Sequence, residues 1–166
     1  YNNRSINNAI IKQLKKGISF SLPTRIETEL SKILCKLIPS AEMVRFGKNG
    51  SDVTAAAIRL SRAYTNRDKI IFCGYHGWHD WYIGKTPMSI GVPKKVKSLT
   101  KSFKYNDIKS LEKILKKEPN SFAAVIMEPV YNEEPNKNFL KKVKKLTRKY
   151  GCLLVFDEIV TGFRVH

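Results

Sequence analysis

Two acidic residues each stand directly after an apolar run that has the composition of a buried strand. Glu128 follows Phe122–Met127, and Asp157 follows Cys152–Phe156. A carboxylate at the edge of an apolar core is costly unless it has a partner. A salt bridge or a helix cap would be a structural partner, whereas a buried cation, such as a protonated pyridine nitrogen, would be a chemical one. Aspartate is the usual partner of that nitrogen where pyridoxal 5′-phosphate (PLP) is bound.

The segment Tyr75–Trp81 combines histidines with aromatic side chains. Three interpretations fit it: a metal site of His76, His79 and Asp80, aromatic packing over a loop, or a platform on which Tyr75 or His76 stacks against a flat ring. A His-x-x-His spacing with one acid lacks the helical frame of the usual zinc-binding pattern. No metal site is therefore predicted.

The turn Asn49–Asp52 has the residue types that begin a helix, because Asn, Ser and Asp are preferred caps. The same turn would suit a phosphate group. Backbone N–H groups, the Ser51 hydroxyl and the positive end of the helix would bind the anion, and Gly50 would allow its close approach. The spacing of a P-loop is absent, so the turn is not one of that kind.

The elements that would position these residues alternate between strands and helices. Buried-type strands without period-2 alternation favour a largely parallel sheet covered on both faces, and hence an α/β fold. Helices are predicted from Ser5 to a stop at Gly17, from Thr24 to Pro39, and over Asp52–Tyr64, Asp107–Lys117 and Phe139–Tyr150; strands are predicted over Met43–Phe46, Lys69–Cys73, Phe122–Met127 and Cys152–Phe156; and Gly74–Pro93 is predicted as a long structured loop.

In open α/β sheets, ligands bind beyond the carboxyl ends of the strands. Residues that could bind a ligand follow each of the four predicted strands. They are the Asn49–Asp52 turn, the Tyr75–His76 pair, Glu128 and Asp157. We therefore expect these groups to lie together at one edge of the sheet.

Composition excludes several classes of protein. The chain has 166 residues, 42% of them hydrophobic, which is too many for a disordered chain, and it shows no apolar run long enough to cross a bilayer. Its net charge of +17 raises the alternative of a basic nucleic-acid-binding module. Lys far outnumbers Arg, and the Lys runs lie on helical patterns, which favours solvated helix faces. Cys35, Cys73 and Cys152 form no CxxC pair, which indicates a reducing compartment.

The segment Leu153–Arg164 resembles the signature of class III PLP-dependent aminotransferases. Met43–Tyr64, Tyr75–Gly77 and Met127–Val130 are similar to the glutamate-1-semialdehyde aminomutase branch of that family. The resemblance covers nearly the whole chain. It implies the large, PLP-binding domain of fold type I, with a mostly parallel central sheet and incomplete in this chain.

The resemblance also implies roles for individual residues. Asp157 would pair with the protonated ring nitrogen, and Glu128 would lie near the ring hydroxyl. The remaining residues would bind the cofactor: Gly50 and Ser51 at its phosphate, Tyr75 on one face of the ring with His76 beside it, and Ile159 on the other face.

Two departures from the family pattern bear on the substrate. The phosphate turn has Asn49–Val53 in place of Ser-Gly-Thr-Glu-Ala, and Tyr131–Glu134 replaces a loop that bears Gly and Asn. We therefore expect amino transfer to an aldehyde or keto compound, by an aminomutase-like enzyme or by an aminotransferase for a sugar or surface-polysaccharide precursor. A catalytically inactive structural relative is a further alternative.

The resemblance finally implies how the chain relates to a whole enzyme. The family's Schiff-base lysine lies well downstream of Asp157, so we expect it beyond His166 and expect these residues alone to be inactive. Residues 1–40 would be an N-terminal helical segment, and residues 41–166 part of the PLP-binding domain. The whole enzyme would be a cytoplasmic homodimer that takes a small-molecule amino donor and an aldehyde or keto acceptor, without a membrane or nucleic acid as partner.

Overall fold

The computed structural model describes residues 2–164, and the chain divides into two compact units, with the boundary in the sequence between Phe46 and Gly47. The first unit contains helix α1 (Arg4–Leu14) and helix α2 (Arg25–Leu37). The predicted capping box of α2 is present: the Thr24 N–H donates to the Glu27 carboxylate at 2.5 Å, and these bonds lower the pKa of Glu27. Helix α1 is capped by Asn3 rather than by Ser5, because the Asn3 Oδ1 accepts the Ile6 N–H at 3.1 Å.

The second unit is a four-stranded parallel sheet with helices. Its strands stand in the order β2-β1-β3-β4, and every neighbouring pair is parallel, as predicted. The elements are α3 (Gly50–Thr65), β1 (Lys69–Cys73), α4 (Asp80–Ile83), α5 (Lys94–Ser98), β2 (Thr100–Ser102), α6 (Ile108–Lys117), β3 (Phe122–Met127), α7 (Phe139–Lys149) and β4 (Leu153–Phe156).

Both faces of this sheet are covered, because alternate residues of its strands enter two different cores. Ile71 of β1 and Val125 of β3 pack with α6 and α7 in one core. Ile70 of β1 and Ile126 of β3 pack in the other, with Ile58 of α3 and two aromatic residues of α4. Successive side chains of a strand point to opposite faces of the sheet, and both faces are covered, so β1 and β3 are almost wholly buried.

The predicted strand Met43–Phe46 is wrong. This segment has no ladder partner among the described residues, and the Met43 side chain is 86% exposed. An apolar segment becomes a strand only when its backbone groups pair with a neighbour. Three strand ends and one helix N-terminus, rather than four strand ends, therefore carry the predicted chemistry.

The region from Gly74 to Ser102 is more ordered than predicted. The predicted loop Gly74–Pro93 contains α4, and α5 and β2 follow it without a clear signal in the sequence. Strand β2 is polar and three residues long, and it exists because Thr100–Ser102 pairs with Ile70–Phe72. Such a strand depends on its partner rather than on its own composition.

The outer face of helix α7 is basic. Helix α7 buries Phe139, Val143 and Thr147 and exposes the predicted Lys runs at Lys141–Lys142 and Lys144–Lys145. Among the residues described here, no helix is both long enough and apolar enough to span a bilayer.

Candidate active site

His76 and Asp157 form a buried pair at the carboxyl end of the sheet. The His76 Nδ1 lies 2.8 Å from the Asp157 Oδ2, and the two residues are 1% and 7% exposed. The other ring nitrogen, Nε2, lies 3.1 Å from the Cys73 carbonyl oxygen at the end of β1. The Asp157 Oδ1 accepts the Ile159 N–H at 3.2 Å. Both oxygens of the acid thus have a partner, and each still has acceptor capacity.

The N-terminus of α3 lies beside this pair. Asn49 caps the helix, because its Oδ1 accepts the Asp52 N–H at 3.1 Å and its carbonyl accepts the Val53 N–H at 3.2 Å. The N–H groups of Gly50 and Ser51 have no partner in the part of the chain that the structure describes. Unpaired N–H groups and the helix dipole make this end a site for an anion.

The Ser51 hydroxyl connects this helix to the aromatic segment. The Ser51 Oγ accepts the Trp78 N–H at 3.3 Å, and Ser51 is buried. Gly77 runs so close to it, with a φ of +95°, that a Cβ at position 77 would overlap the Ser51 Oγ. A glycine is therefore needed at position 77, both for the backbone conformation and for the space.

Thr54 forms a second connection that the sequence interpretation missed. Its hydroxyl, one helical turn after Ser51, lies 3.1 Å from the carbonyl oxygens of both Ser51 and His76. Thr54 thereby fixes the His76 backbone against α3. The signal for it was weak, since only its position on the same helix face as Ser51 distinguished it from other threonines.

Close packing brings the helix end and the acid together. A Cβ at position 50 would lie 2.6 Å from the Ile159 Cδ1, two residues after Asp157. The Ile159 side chain is nevertheless half exposed. The predicted phosphate turn and the predicted acid therefore lie at one edge of the sheet, with an apolar side chain between them.

Glu128 contacts the backbone of the aromatic segment at Tyr75. The Glu128 Oε1 accepts the Tyr75 N–H at 2.7 Å, so that a buried carboxylate fixes the backbone of the aromatic segment. The Tyr75 side chain is 62% exposed and contacts the Tyr82 ring edge to face, with centroids 5.6 Å apart. Its ring is available for stacking with a ligand.

The chemistry of the neighbouring groups follows from burial. Burial, and then the negative charge of Glu128, raise the pKa of the Cys73 thiol to about 12. Burial likewise raises the pKa of the Tyr82 phenol, and Tyr131, Tyr75 and Glu128 add to it. Both groups therefore remain protonated at neutral pH.

The structure separates the histidines of the aromatic segment. His76 contacts Asp157, whereas the His79 ring packs edge to face against Trp78. Residues 2–164 contain no group of three His, Cys, Asp or Glu side chains that could bind a metal ion. His76 instead lies among aromatic rings, with Trp81 nearly parallel to it.

The arrangement suits a flat ligand with a cation at one end and an anion at the other. The Asp157 carboxylate would bind the cation, and the α3 N-terminus with Ser51 would bind the anion. Ile159 and Tyr75 are two of the exposed side chains beside these groups. The unpaired N–H groups of Gly50 and Ser51 mark the place where an anion would bind.

Known proteins similar to this chain are aminotransferases and aminomutases. The family model described as aminotransferase class-III matches residues 1–165. A glutamate-1-semialdehyde 2,1-aminomutase from Wigglesworthia glossinidia brevipalpis is 41% identical over an alignment of 182 residues. The alignment covers 99% of this chain and 42% of that protein. A 3-aminobutyryl-CoA aminotransferase from Cloacimonas acidaminovorans is 40% identical over 171 residues, or 99% of this chain and 41% of that protein.

Solved structures resemble the chain over the same extent. An omega-transaminase from Sphaerobacter thermophilus superposes with a TM-score of 0.88 at 30% identity and covers 96% of this chain and 41% of its own. The FumI protein of Sphingopyxis sp. MTA144, in a form that carries PLP, superposes with a TM-score of 0.91 at 30% identity and covers 99% and 41%. The chain thus spans about two-fifths of the length of these relatives.

Proposed function

Because the chain belongs to the class III aminotransferase family, whose model matches residues 1–165, we propose that it supplies the PLP-binding part of an enzyme that transfers amino groups. The observation that carries this proposal is the buried His76–Asp157 pair beside the N-terminus of α3. When bound, PLP supplies a ring that accepts the electrons left at a substrate carbon when its proton departs.

The phosphate of PLP would be bound by the helix end. The N–H groups of Gly50 and Ser51 and the Ser51 hydroxyl are the donors available there, and the helix dipole favours a negative group. Asn49 supports this role indirectly. It accepts hydrogen bonds from the N–H groups of Asp52 and Val53, which fixes the turn and leaves the N–H groups of Gly50 and Ser51 for the ligand.

The pyridine nitrogen would be bound by Asp157. A carboxylate opposite that nitrogen favours its protonated form, and burial strengthens the interaction because water does not screen it. His76 orients the acid through its Oδ2, and the Ile159 N–H orients it through its Oδ1. The acid is thus held on both sides before any ligand binds.

Tyr75 and Ile159 would contact the two faces of the ring, and Glu128 would lie near its hydroxyl. The exposure of the Tyr75 and Ile159 side chains supports this role, since both present apolar surface to solvent next to the polar groups. Glu128 acts in the structure by fixing the Tyr75 backbone, which would set the position of the stacking ring.

The substrates we propose are a small amino donor and an aldehyde or keto acceptor. The curated relatives include an aminomutase at 41% identity and an aminotransferase at 40%, so similarity favours neither outcome over the other. A sugar or surface-polysaccharide precursor as acceptor is the alternative within the same reaction class. Assay of the complete gene product with candidate acceptors would distinguish these substrates.

We also propose that the whole protein is a homodimer. Exposed apolar side chains next to the site support this, among them Val160 and Phe163 in the segment that follows Asp157. Large exposed apolar side chains beside a polar site are typical of surfaces that a partner covers. Light scattering of the complete gene product would report a mass of two chains, and a monomer at micromolar concentration would contradict the proposal.

The test of the cofactor site is direct binding of 4′-deoxypyridoxine 5′-phosphate to the 166-residue chain. This compound has the ring nitrogen and the phosphate of PLP but no aldehyde, so the many surface lysines cannot react with it. Titration calorimetry should show one site. D157N should weaken binding roughly 10- to 100-fold, because a hydrogen bond to a charged group contributes about 1.5–3 kcal/mol.

Glu158→Gln is the matched control, since Glu158 is the next residue along the chain and is exposed. We expect it to bind the compound as the parent chain does, while S51A should bind more weakly and lose the preference for the phosphorylated over the unphosphorylated compound. Equal affinities of the parent chain and D157N would contradict the proposed function.

A further inference from the structure

Helix α7 has an outer face made of cations. Six of the nine residues from 141 to 149 are Lys or Arg, and all six are exposed. The other three face inward: Val143 and Thr147 are buried, and Leu146 packs against the core. The chain has no acidic residue between Glu134 and Asp157, so no neighbour in the sequence neutralises these cations.

Helix α6 extends this surface, because it packs beside α7. Leu111 of α6 and Phe139 of α7 belong to the same core. On the outer side, the hydrogen bond and charge of Lys116, and then the charge of Lys149 on α7, lower the pKa of Glu112. Four exposed lysines lie on α6 between residues 109 and 117. We call the exposed Lys and Arg side chains of residues 109–117 and 141–149 the basic face.

The acids near the basic face already have partners. The Glu112 carboxylate lies 2.8 Å from the Lys116 Nζ. Glu118, directly after α6, pairs with Lys69 and Lys101, which lie outside the basic face. None of the ion pairs among residues 2–164 includes a cation of α7. Within this part of the chain the charge of α7 is therefore not compensated, and like charges three or four positions apart on a helix repel each other.

The basic face carries no apolar anchor. Neither α6 nor α7 exposes a large apolar or aromatic side chain. A surface that enters a membrane interface presents exposed Trp, Phe or Leu beside its cations. A groove for single-stranded nucleic acid presents aromatic rings on which the bases stack. Because both kinds of anchor are missing from these two helices, the basic face suits a partner that is bound through its charges alone.

The types of cation and the length of the helix indicate which polyanion fits. Arg148 is the only Arg of the basic face, and the other cations are lysines. A Lys ammonium is a point charge that suits a phosphate, whereas guanine is usually read by the paired donors of Arg. Helix α7 has 11 residues and is therefore about 16 Å long. A double helix of that length carries about nine phosphates.

We propose that the basic face binds the phosphate backbone of double-stranded nucleic acid without reading its sequence. The lysine runs alone favour solvated helix faces, and the structure adds that α6 and α7 join several of them into one surface. Packed helices lie about 8–10 Å apart, so their cations form two rows. Helices α6 and α7 cover one face of the sheet, whereas the candidate active site lies at its carboxyl edge. Binding of a double helix is therefore independent of the proposed function.

Fluorescence anisotropy of a labelled DNA duplex, titrated with the complete gene product, tests the binding. We expect saturable binding at about 50 mM salt. The logarithm of the association constant should fall linearly with the logarithm of the salt concentration, with a slope of about −0.9 for each phosphate contacted. Two duplexes of unrelated sequence should bind equally. No binding at about 50 mM salt, or a preference of more than about tenfold for one sequence, would overturn the proposal.

Matched substitutions test where the duplex binds. The first variant replaces three exposed lysines of α7, as K141Q/K144Q/K145Q, and should reduce the steepness of the salt dependence by about 3. The control replaces three exposed lysines at the end of α1 and directly after it, as K12Q/K15Q/K16Q. Both variants lose the same net charge, so a general effect of charge would weaken both alike. Equal losses of affinity in the two variants would overturn the assignment to the basic face.

Two further measurements separate the duplex from other anions. Vesicles of about 30% phosphatidylserine in phosphatidylcholine should bind more weakly than the duplex at the same salt concentration. Tighter binding to the vesicles, lost in K141Q/K144Q/K145Q, would overturn the proposal in favour of a membrane. Saturating 4′-deoxypyridoxine 5′-phosphate should leave duplex binding unchanged. Displacement of the duplex by this compound would place its phosphates at the N-terminus of α3 and would also overturn the proposal.

Discussion

At the residue scale, the site depends on contacts between side chains that are far apart along the chain. His76 and Asp157 are 81 positions apart, and Tyr75 and Glu128 are 53 apart. Each pair joins the ends of two different strands of the sheet. The acids are therefore held by groups whose positions the sheet sets, and removal of one partner would leave a buried polar group unsatisfied.

Gly77 is the residue at which backbone conformation and close packing coincide. We expect G77A to lose more stability than G91A, because both glycines have a positive φ but only Gly77 lies against another side chain, Ser51. The backbone strain alone is worth about 1–3 kcal/mol, and the overlap with Ser51 adds to it in G77A. Urea denaturation of the two variants measures the difference. A G77A chain as stable as G91A would show that the close approach to Ser51 is not real.

At the element scale, a single side chain fixes the short connection from α3 to β1. Arg67, in the short connection from α3 to β1, donates through its Nη1 to the carbonyl oxygens of Phe122, Tyr150 and Gly151, at 3.2, 2.9 and 2.8 Å. One guanidinium thus joins the beginning of β3 to the end of α7. The last carbonyls of a helix need such partners, and a cation there also complements the helix dipole.

We expect R67A to lower the free energy of unfolding by about 2–3 kcal/mol, because hydrogen bonds to charged groups contribute about 1.5–3 kcal/mol. R59A is the control, since Arg59 is exposed on α3 and should change stability by no more than about 0.5 kcal/mol. Chemical denaturation followed by circular dichroism measures both. Similar losses in the two variants would show that the Arg67 contacts do not stabilise the connection.

At the scale of the whole molecule, one core of the sheet contains several weak acids that burial keeps protonated. Burial raises the pKa of Cys73 and Tyr105 to about 12 and that of Cys152 to about 11. All three belong to the core that α6 and α7 cover. In the unfolded chain the same groups lose their protons at lower pH, so that the stability of the fold is linked to pH in the alkaline range.

The sign of this linkage follows from the raised values. Between about pH 9 and 12 the folded chain retains protons that the unfolded chain has lost. The free energy of unfolding should therefore have its full value below about pH 9 and should fall as the pH rises. Each group should lower it by at most about 1.4 kcal/mol per pH unit. Urea denaturation under reducing conditions at a series of pH values measures the slope. C73A should flatten it, whereas C35A, a change outside this core, should not. A slope unaffected by C73A would contradict the prediction.

Local sequence patterns predicted the elements that form through near neighbours. The apolar runs Lys69–Cys73 and Phe122–Met127 became β1 and β3 with the predicted bounds, and the capping box at Thr24 is present. The same reasoning failed where an element needs a distant partner. Thr100–Ser102 is a strand only because β1 lies beside it, and Met43–Phe46 is not a strand because none of the described residues pairs with it.

The amino-acid sequence by itself determined the family, through its resemblance to known members. It also determined the parallel sheet and the residues that gather at its carboxyl edge, because periodicity and spacing are properties of nearby residues. Only the tertiary structure decided that Asp157 contacts His76, that Thr54 and Gly77 lie against the helix end, and that Trp81 stacks on the imidazole. These contacts depend on which strands are neighbours and on how the side chains at their ends pack. Residues far apart in the chain acquire such contacts only when the sheet has formed.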